Sequence, residues 1–96
     1  MLNFEKNFIP LVNQLELNNV PHTILSTGDG LKIVFKDGSD VALNNFTYGH
    51  AEGELEGYKG VFKDVFDDVT GYMTWQDVCH KLNIPIVNYS HLSIEN

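Results

Sequence analysis

The chain contains no arginine, one cysteine, and no apolar run near the roughly 20 residues that a membrane-spanning helix requires. Arginine makes the paired contacts that recognise phosphates and guanine bases, so its absence argues against direct nucleic-acid binding. The 13 acidic residues outnumber the six lysines and give a net charge of −7, which repels a polyanion. We therefore expect neither nucleic-acid binding nor membrane insertion.

The single cysteine, Cys79, cannot form a disulfide within the chain, which agrees with a reducing compartment. It stands in a run with helical apolar spacing, and we interpret it as a small buried apolar side chain. The N-terminus lacks the basic start and the continuous apolar stretch of a secretion signal. These features predict a cytoplasmic protein.

The length of 96 residues, with 43% apolar and 11% aromatic residues, is typical of one folded domain. A chain of this length can bury one hydrophobic core. No repeat or linker interrupts the sequence. We predict a single domain over residues 1–96.

Apolar residues recur three or four positions apart near the N-terminus, which predicts an amphipathic helix: Phe4, Phe8, Leu11, Val12 and Leu15. Pro10 either lies in the first turn of a helix that begins near Asn7, or kinks a longer helix. Asn18, Asn19 and Pro21 are typical of a helix end.

The next part of the chain has the pattern of an antiparallel meander. Residues 22–26 favour strand, and apolar and polar residues then alternate over 31–36 and 41–44. Asp37-Gly38 is a typical hairpin turn. We predict two or three strands with one face exposed to water.

The segment Phe46–Gly60 contains four glycines, which weaken the short helical stripe formed by Ala51, Leu55 and Tyr58. Beyond it, apolar residues again have helical spacing and predict a helix that ends at Thr70-Gly71-Tyr72: Val61, Phe62, Val65, Phe66 and Val69.

A last helix is predicted from Thr74, whose side chain would form a capping box with Asp77. Asn83 and Pro85 end it. Residues 86–96 form either a short edge strand or a loosely held terminus. The predicted fold is α+β, a small antiparallel sheet of two or three strands packed by two or three helices.

Several short motifs between Asn19 and Leu82 resemble small phage and prophage proteins of Gram-positive bacteria: NNVPHTI, GDGLKIVF, DGSDVAL, the corner TYGH with the acidic GELEG, and GYMTWQDVCHKL. The resemblance implies a mobile element and the cytoplasm of its host cell. It brings no catalytic residue. Small acidic phage proteins often act by binding and inhibiting host machinery, including CRISPR nucleases, and the resemblance therefore favours an inhibitor among the possible functions.

Catalytic patterns are absent from the sequence. No serine lies in a G-x-S-x-G elbow, and Gly28-Asp29-Gly30 lacks the Gly-Lys-Ser/Thr ending of a phosphate loop. The histidines are too far apart for a local metal motif, although His50 with Glu52 and Glu54 is the best chelating segment. We predict no enzyme, no cofactor and no metal site, and keep a small metal-dependent enzyme centred on His50 as the second alternative.

The segment from Glu52 to Asp77 carries seven acids and two lysines. The simplest interpretation is a solvated surface. The functional interpretation is a carboxylate surface that mimics a phosphate backbone and binds a basic groove, with aromatic side chains as anchors. The candidate binding residues are Glu52, Glu54, Glu56, Asp64, Asp67, Asp68, Tyr48, Tyr58, Tyr72 and Trp75.

These observations predict a protein-binding module of a phage or mobile element that inhibits or regulates a host nucleic-acid-handling protein, such as a CRISPR nuclease. The expected partner is a protein with a basic surface. The first alternative is a structural or self-assembling protein, a homo-oligomer that associates through its sheet edge or its aromatic residues.

Overall fold

The fold is described from a computed structural model, which covers residues 1–88. Its helices and strands follow the order α1 (Phe8–Leu17), β1 (His22–Thr27), β2 (Gly30–Phe35), β3 (Asp40–Leu43), β4 (Leu55–Tyr58), β5 (Val69–Met73) and α2 (Trp75–Leu82). Short 3₁₀ turns occupy His50–Glu52 and Gly60–Phe62.

The five strands form one sheet in the order β1-β2-β3-β4-β5, and every neighbouring pair is antiparallel. The prediction of a two- or three-stranded sheet is therefore wrong, although both helix and sheet are present as expected. Both helices contribute to one core with the side chains of a single sheet face, and those buried side chains include Phe8, Leu11, Ile33, Val41, Leu55, Met73 and Val78.

The first three strands lie where the alternating pattern predicts them. A two-residue loop at Gly28-Asp29 joins β1 to β2, and Gly28 takes a φ of 60°, which favours glycine. The β2–β3 turn contains Asp37-Gly38 as predicted, with Gly38 at a φ of 89° and its N–H donating to the Phe35 carbonyl. The predicted meander is confirmed for these strands.

The predicted helix over residues 61–69 is wrong. Phe62 lies in the core at the end of a 3₁₀ turn, Val65 and Phe66 are exposed in a loop, and Val69 begins β5. The free edge of β3 pairs with β4, and β4 pairs with β5, so pairing between distant segments decides the structure here. A helical stripe through Leu55 and Tyr58 is wrong for the same reason.

Helix α1 begins after Asn7, and Pro10 lies in its first turn, where a missing N–H is tolerated. The helix ends at Asn18, as predicted, and Asn19 takes a φ of 54°. The Asn7 side chain does not cap this helix. Its amide instead donates to the Gly53 carbonyl at 2.9 Å and accepts from the Trp75 N–H at 3.0 Å.

Helix α2 has the predicted capping box. The Thr74 hydroxyl accepts from the Asp77 N–H at 3.2 Å, and the Asp77 carboxylate accepts from the Thr74 N–H at 3.0 Å. Asn83 follows in the left-handed conformation. Cys79 is fully buried, and burial raises the pKa of its thiol.

The chain after α2 is bound to α1 and to the residue that follows it by side-chain amides. Gln14 is 1% exposed and pairs with both main-chain groups of Val87, at 2.7 and 2.8 Å, while Asn18 donates to the Pro85 carbonyl. Residues 86–88 belong to no strand. The rest of the predicted tail or edge strand, 89–96, lies outside the described residues. Over residues 1–88, no helix is long and apolar enough to cross a membrane.

Candidate protein-binding surface

The three predicted aspartates lie together in the loop that precedes β5. The chain reverses between Asp64 and Asp67, where the Asp64 N–H donates to the Asp67 carbonyl at 2.7 Å. The Asp64 carboxylate accepts from the Val65 N–H at 2.7 Å, and the Lys59 N–H donates to the Asp68 carbonyl at 2.9 Å. These bonds shape a defined turn with Val65 and Phe66 at its end.

We call residues 64–68 the acidic tip. Phe66 is 95% exposed and Val65 is 87% exposed, so neither contributes to the core that their spacing predicts. Both Asp64 and Asp67 are exposed beside them, as is Asp68. Val65 and Phe66 form a small exposed apolar patch flanked in the sequence by aspartates, and apolar patches with a polar rim are a feature of interaction sites.

A second group of predicted residues surrounds an irregularity of β5. Gly57 pairs with Thr70 and Leu55 with Met73, so Gly71 and Tyr72 together face Glu56 in a β-bulge. Tyr72 takes a φ of 58°, which is strained for an aromatic residue and costs about 1 kcal/mol or more.

Contacts with Tyr48 accompany this bulge. The Tyr48 and Tyr72 rings stack with their centres 6.0 Å apart, and the Tyr72 N–H donates to the Tyr48 carbonyl at 3.2 Å. The Glu56 carboxylate accepts from the Tyr48 N–H at 2.8 Å. A side chain at Gly71 would lie 2.4 Å from Tyr48 Cβ, so the close approach requires glycine there. The structure thus brings together three predicted site residues, Tyr48, Tyr72 and Glu56. We call Tyr48 and Tyr72 the tyrosine pair.

The tyrosine pair and the acidic tip lie toward opposite ends of β5. Asp68 precedes the strand and Tyr72 is near its end, a separation of about 13 Å along an extended chain. The predicted residues therefore form two clusters and not one continuous patch.

The remaining predicted residues are dispersed. Glu52 is exposed in the first 3₁₀ turn, and Glu54 is half-buried with its side chain beside Gly49. Tyr58 lies on the exposed face of β4, with the Lys59 ammonium 5.2 Å from its ring centre. Trp75 is half-buried and packs against the core at the start of α2, so it belongs to neither cluster.

Charged side chains also lie on the sheet face away from the helices. Asp40 stands opposite Tyr58, and burial raises the pKa of its carboxyl, while the nearby Lys32 and Lys59 lower it less. Within the described residues, no lysine pairs with a carboxylate, and His22 Nε2 lies 3.3 Å from the Glu16 carboxylate. Most carboxylates of this part of the chain are therefore without a paired cation.

The described part of the chain contains no set of ligands for the alternative function, a metal-dependent enzyme centred on His50. Over residues 1–88, no three His, Cys, Asp or Glu side chains are close enough to hold an ion. One ring nitrogen of His50 lies 2.8 Å from the Thr47 carbonyl.

Sequence reasoning missed two residues of the acidic tip, Val65 and Phe66. A usable signal was present, because Asp64-Val65-Phe66-Asp67-Asp68 is an apolar pair enclosed by acids, with Gly60 before it and Gly71 after it. Phe46, which is 90% exposed in the loop before Tyr48, was missed as well.

No protein-family model matches the chain, and the comparisons with curated proteins and with solved structures gave no match either.

Proposed function

We propose that this protein is a binding module that attaches stoichiometrically, without turnover, to a partner protein through the acidic tip. The partner carries an apolar pocket with a basic rim. Phe66 and Val65 enter the pocket, and the carboxylates of Asp64, Asp67 and Asp68 face the rim.

The exposure of Phe66 and Val65 is the observation that carries the proposal. Transferring either side chain from water into an apolar pocket contributes about 1.5–3 kcal/mol. Exposing both side chains to water at the end of the turn does not stabilise the isolated chain. Buried aromatic anchors surrounded by polar groups dominate the affinity of protein interfaces.

The charges around the anchor support a basic partner. The chain has a net charge of −7, and the three aspartates of the tip have no paired cation within residues 1–88. Such a surface attracts a positively charged groove, increases the association rate and disfavours acidic competitors.

The resemblance to phage and prophage proteins favours one class of partner, the nucleic-acid-handling proteins of a host cell. Nucleic-acid-handling proteins of the host, CRISPR nucleases among them, have basic grooves that bind phosphates. In this proposal the chain acts in the host cytoplasm and occupies such a groove in place of nucleic acid.

Binding to a host lysate tests the proposal in two steps. The tagged protein captures its partner at low salt, the partner is eluted with a salt gradient and identified by mass spectrometry, and the purified pair is then measured by titration calorimetry. We expect a stoichiometry of one partner site per chain and an affinity that falls as salt rises, because exposed charges are screened.

Two variants separate the apolar from the electrostatic contribution. Phe66→Ala should weaken the purified complex by roughly 30-fold at every salt concentration, which corresponds to about 2 kcal/mol. Asp67→Asn with Asp68→Asn should weaken it mainly at low salt, and this pair leaves the Asp64–Val65 contact intact.

A matched double variant, Glu5→Gln with Glu52→Gln, removes the same charge elsewhere on the surface and should change affinity little. If it weakens binding as much as the tip variants do, or if Phe66→Ala binds normally, the acidic tip is not the binding surface.

A further inference from the structure

Within residues 1–88, no segment covers strand β1, which forms one edge of the sheet. It lies first in the strand order and has six residues, none of which is lysine, aspartate, glutamate, proline or glycine. Proteins normally protect such an edge with lysine, proline, a bulge or a covering segment. The opposite edge has this protection, because β5 is bulged at Gly71–Tyr72 and the Tyr72 N–H already donates to Tyr48.

The register shows which main-chain groups of β1 point outward. The Phe35 N–H donates to the Ser39 carbonyl, so the main-chain N–H and C=O groups of Leu31, Ile33 and Phe35 point toward β3. The main-chain groups of the β2 residues between them point toward β1. Their β1 partners are Thr23, Leu25 and Thr27. The N–H and C=O groups of His22, Ile24 and Ser26 therefore point away from the sheet, and no strand within residues 1–88 pairs with them.

The side chains of the same strand are incompletely covered. Ile24 stands opposite the buried Ile33, on the core face, but is 43% exposed. Leu25 is on the other face and is 44% exposed. Both lack the neighbour that a further strand would supply.

We propose that β1 pairs antiparallel with β1 of a second copy, with the two Ile24 residues facing each other on the twofold axis. This register places His22 opposite the partner copy's Ser26. Each outward N–H of one strand then faces an outward C=O of the other strand. Two hydrogen bonds form in each facing pair, and the two sheets become one continuous sheet.

The second copy fits better than a charged foreign strand for two reasons. No residue of β1 is acidic, so two copies of this acidic molecule can pair along the strand without opposing carboxylates within it. The twofold register also brings Ile24 against Ile24 at the uncovered end of the core, so each copy supplies the apolar neighbour that the other lacks.

One pair of six-residue strands buries less area than a standard interface of about 1,200–2,000 Å², so the dimer is weak. We expect the mean mass in sedimentation equilibrium to rise from one chain toward two between about 10 µM and 1 mM. It should rise further with salt, since screening reduces the repulsion between copies. Partner binding through the acidic tip has the opposite salt dependence, so each proposal can fail without the other.

Cysteine cross-linking tests the register in a Cys79→Ala background. Two Ile24→Cys residues would face each other with Cα atoms about 5.5 Å apart, within disulfide range. The control, Leu25→Cys, places its two cysteines about 8 Å apart, beyond that range. We expect oxidation to cross-link the first variant at least ten times faster than the second.

Amide hydrogen exchange of the unmodified chain distinguishes a second copy from other occupants of the edge. Protection of the Ile24 and Ser26 amides should increase with protein concentration, while that of Leu25 should not. A monomer at 1 mM, equal cross-linking of the two cysteine variants, or protection that is independent of concentration would each overturn the dimer. The last result would place a segment of the same chain on the edge.

Discussion

Asp37 and Asp40 lie three positions apart, and folding shifts the pKa values of their carboxyl groups in opposite directions. Asp37 accepts from both the Ser39 hydroxyl, at 2.6 Å, and the Ser39 N–H, at 2.9 Å, and these bonds lower the pKa of its carboxyl. Asp40 lies within the sheet, where burial raises its pKa more than Lys32 and Lys59 lower it. The same ionised group is thus favoured in the turn and disfavoured in the strand.

The two shifts predict opposite pH effects on stability. The contribution of Asp40 is present below the ordinary value of 3.8 and is lost as pH rises through its raised folded-state pKa. Asp40→Asn should therefore raise the melting temperature at pH 7 and have little effect at pH 3.

Asp37 supplies the matched comparison. Its contribution is present above 3.8 and is lost as pH falls through its lowered folded-state pKa, so Asp37→Asn should lower the melting temperature at pH 7. Thermal unfolding followed by circular dichroism from pH 3 to 7 measures both. Two variants that shift in the same direction at pH 7 would contradict this assignment.

At the scale of elements, one buried amide joins three parts of the chain. Asn7 is 2% exposed, and its side chain connects the start of α1 to Gly53, before β4, and to the first residue of α2. These bonds satisfy a loop carbonyl and a helix N–H that would otherwise be buried without partners.

Asn7→Asp should destabilise the fold at neutral pH by about 2–3 kcal/mol, because a carboxylate oxygen then faces the Gly53 carbonyl without a donor. Urea unfolding at pH 7 measures the loss. Protonation restores an O–H donor, so the difference from the unchanged protein should shrink at pH 4. An equal loss at both pH values would show that the hydrogen bond to Gly53 is not its cause.

At the scale of the whole molecule, unpaired negative charge is the dominant electrostatic feature. The net charge is −7, and no lysine pairs with a carboxylate within residues 1–88. Mutual repulsion of carboxylates weakens the folded state and is screened by salt.

We therefore expect the melting temperature to rise by several degrees between about 10 and 300 mM NaCl, since about 1 kcal/mol shifts a domain of this size by roughly 4–8 °C. Glu5→Gln combined with Asp67→Asn and Asp68→Asn should reduce that rise. Differential scanning calorimetry at low protein concentration, below the range of the proposed dimer, makes the measurement. A melting temperature that is flat or falls with salt would contradict the repulsion.

The candidate site was only partly predictable. The acids of the tip were identified from their density in the sequence, and Asp64, Asp67 and Asp68 do lie in one loop. The apolar anchors between them are assigned by their spacing to a helix, because Val65 and Phe66 match a helical period with Phe62 and Val69. A period counts spacing along the chain and does not record whether that chain is helical or reverses in a turn.

The sequence alone determined the elements whose signals are local. Helix α2 has its own start signal in the capping box of Thr74 and Asp77, both helices have local stop residues, and the first three strands are joined by short glycine turns that fix their pairing. Each of these signals acts within a few residues, so it does not depend on the rest of the fold.

Only the tertiary structure decided the rest. The segment Leu55–Tyr58 is short and contains a glycine, so its own strand signal is weak. It becomes strand β4 because the edge of β3 is available to pair with it. β5 then adds to β4, and Asp64–Asp68 is left outside the sheet with Phe66 in water. Strand pairing between segments that are distant in sequence does not produce a periodic pattern in either segment. The five-stranded sheet and the exposure of Phe66 therefore become visible only in the folded molecule.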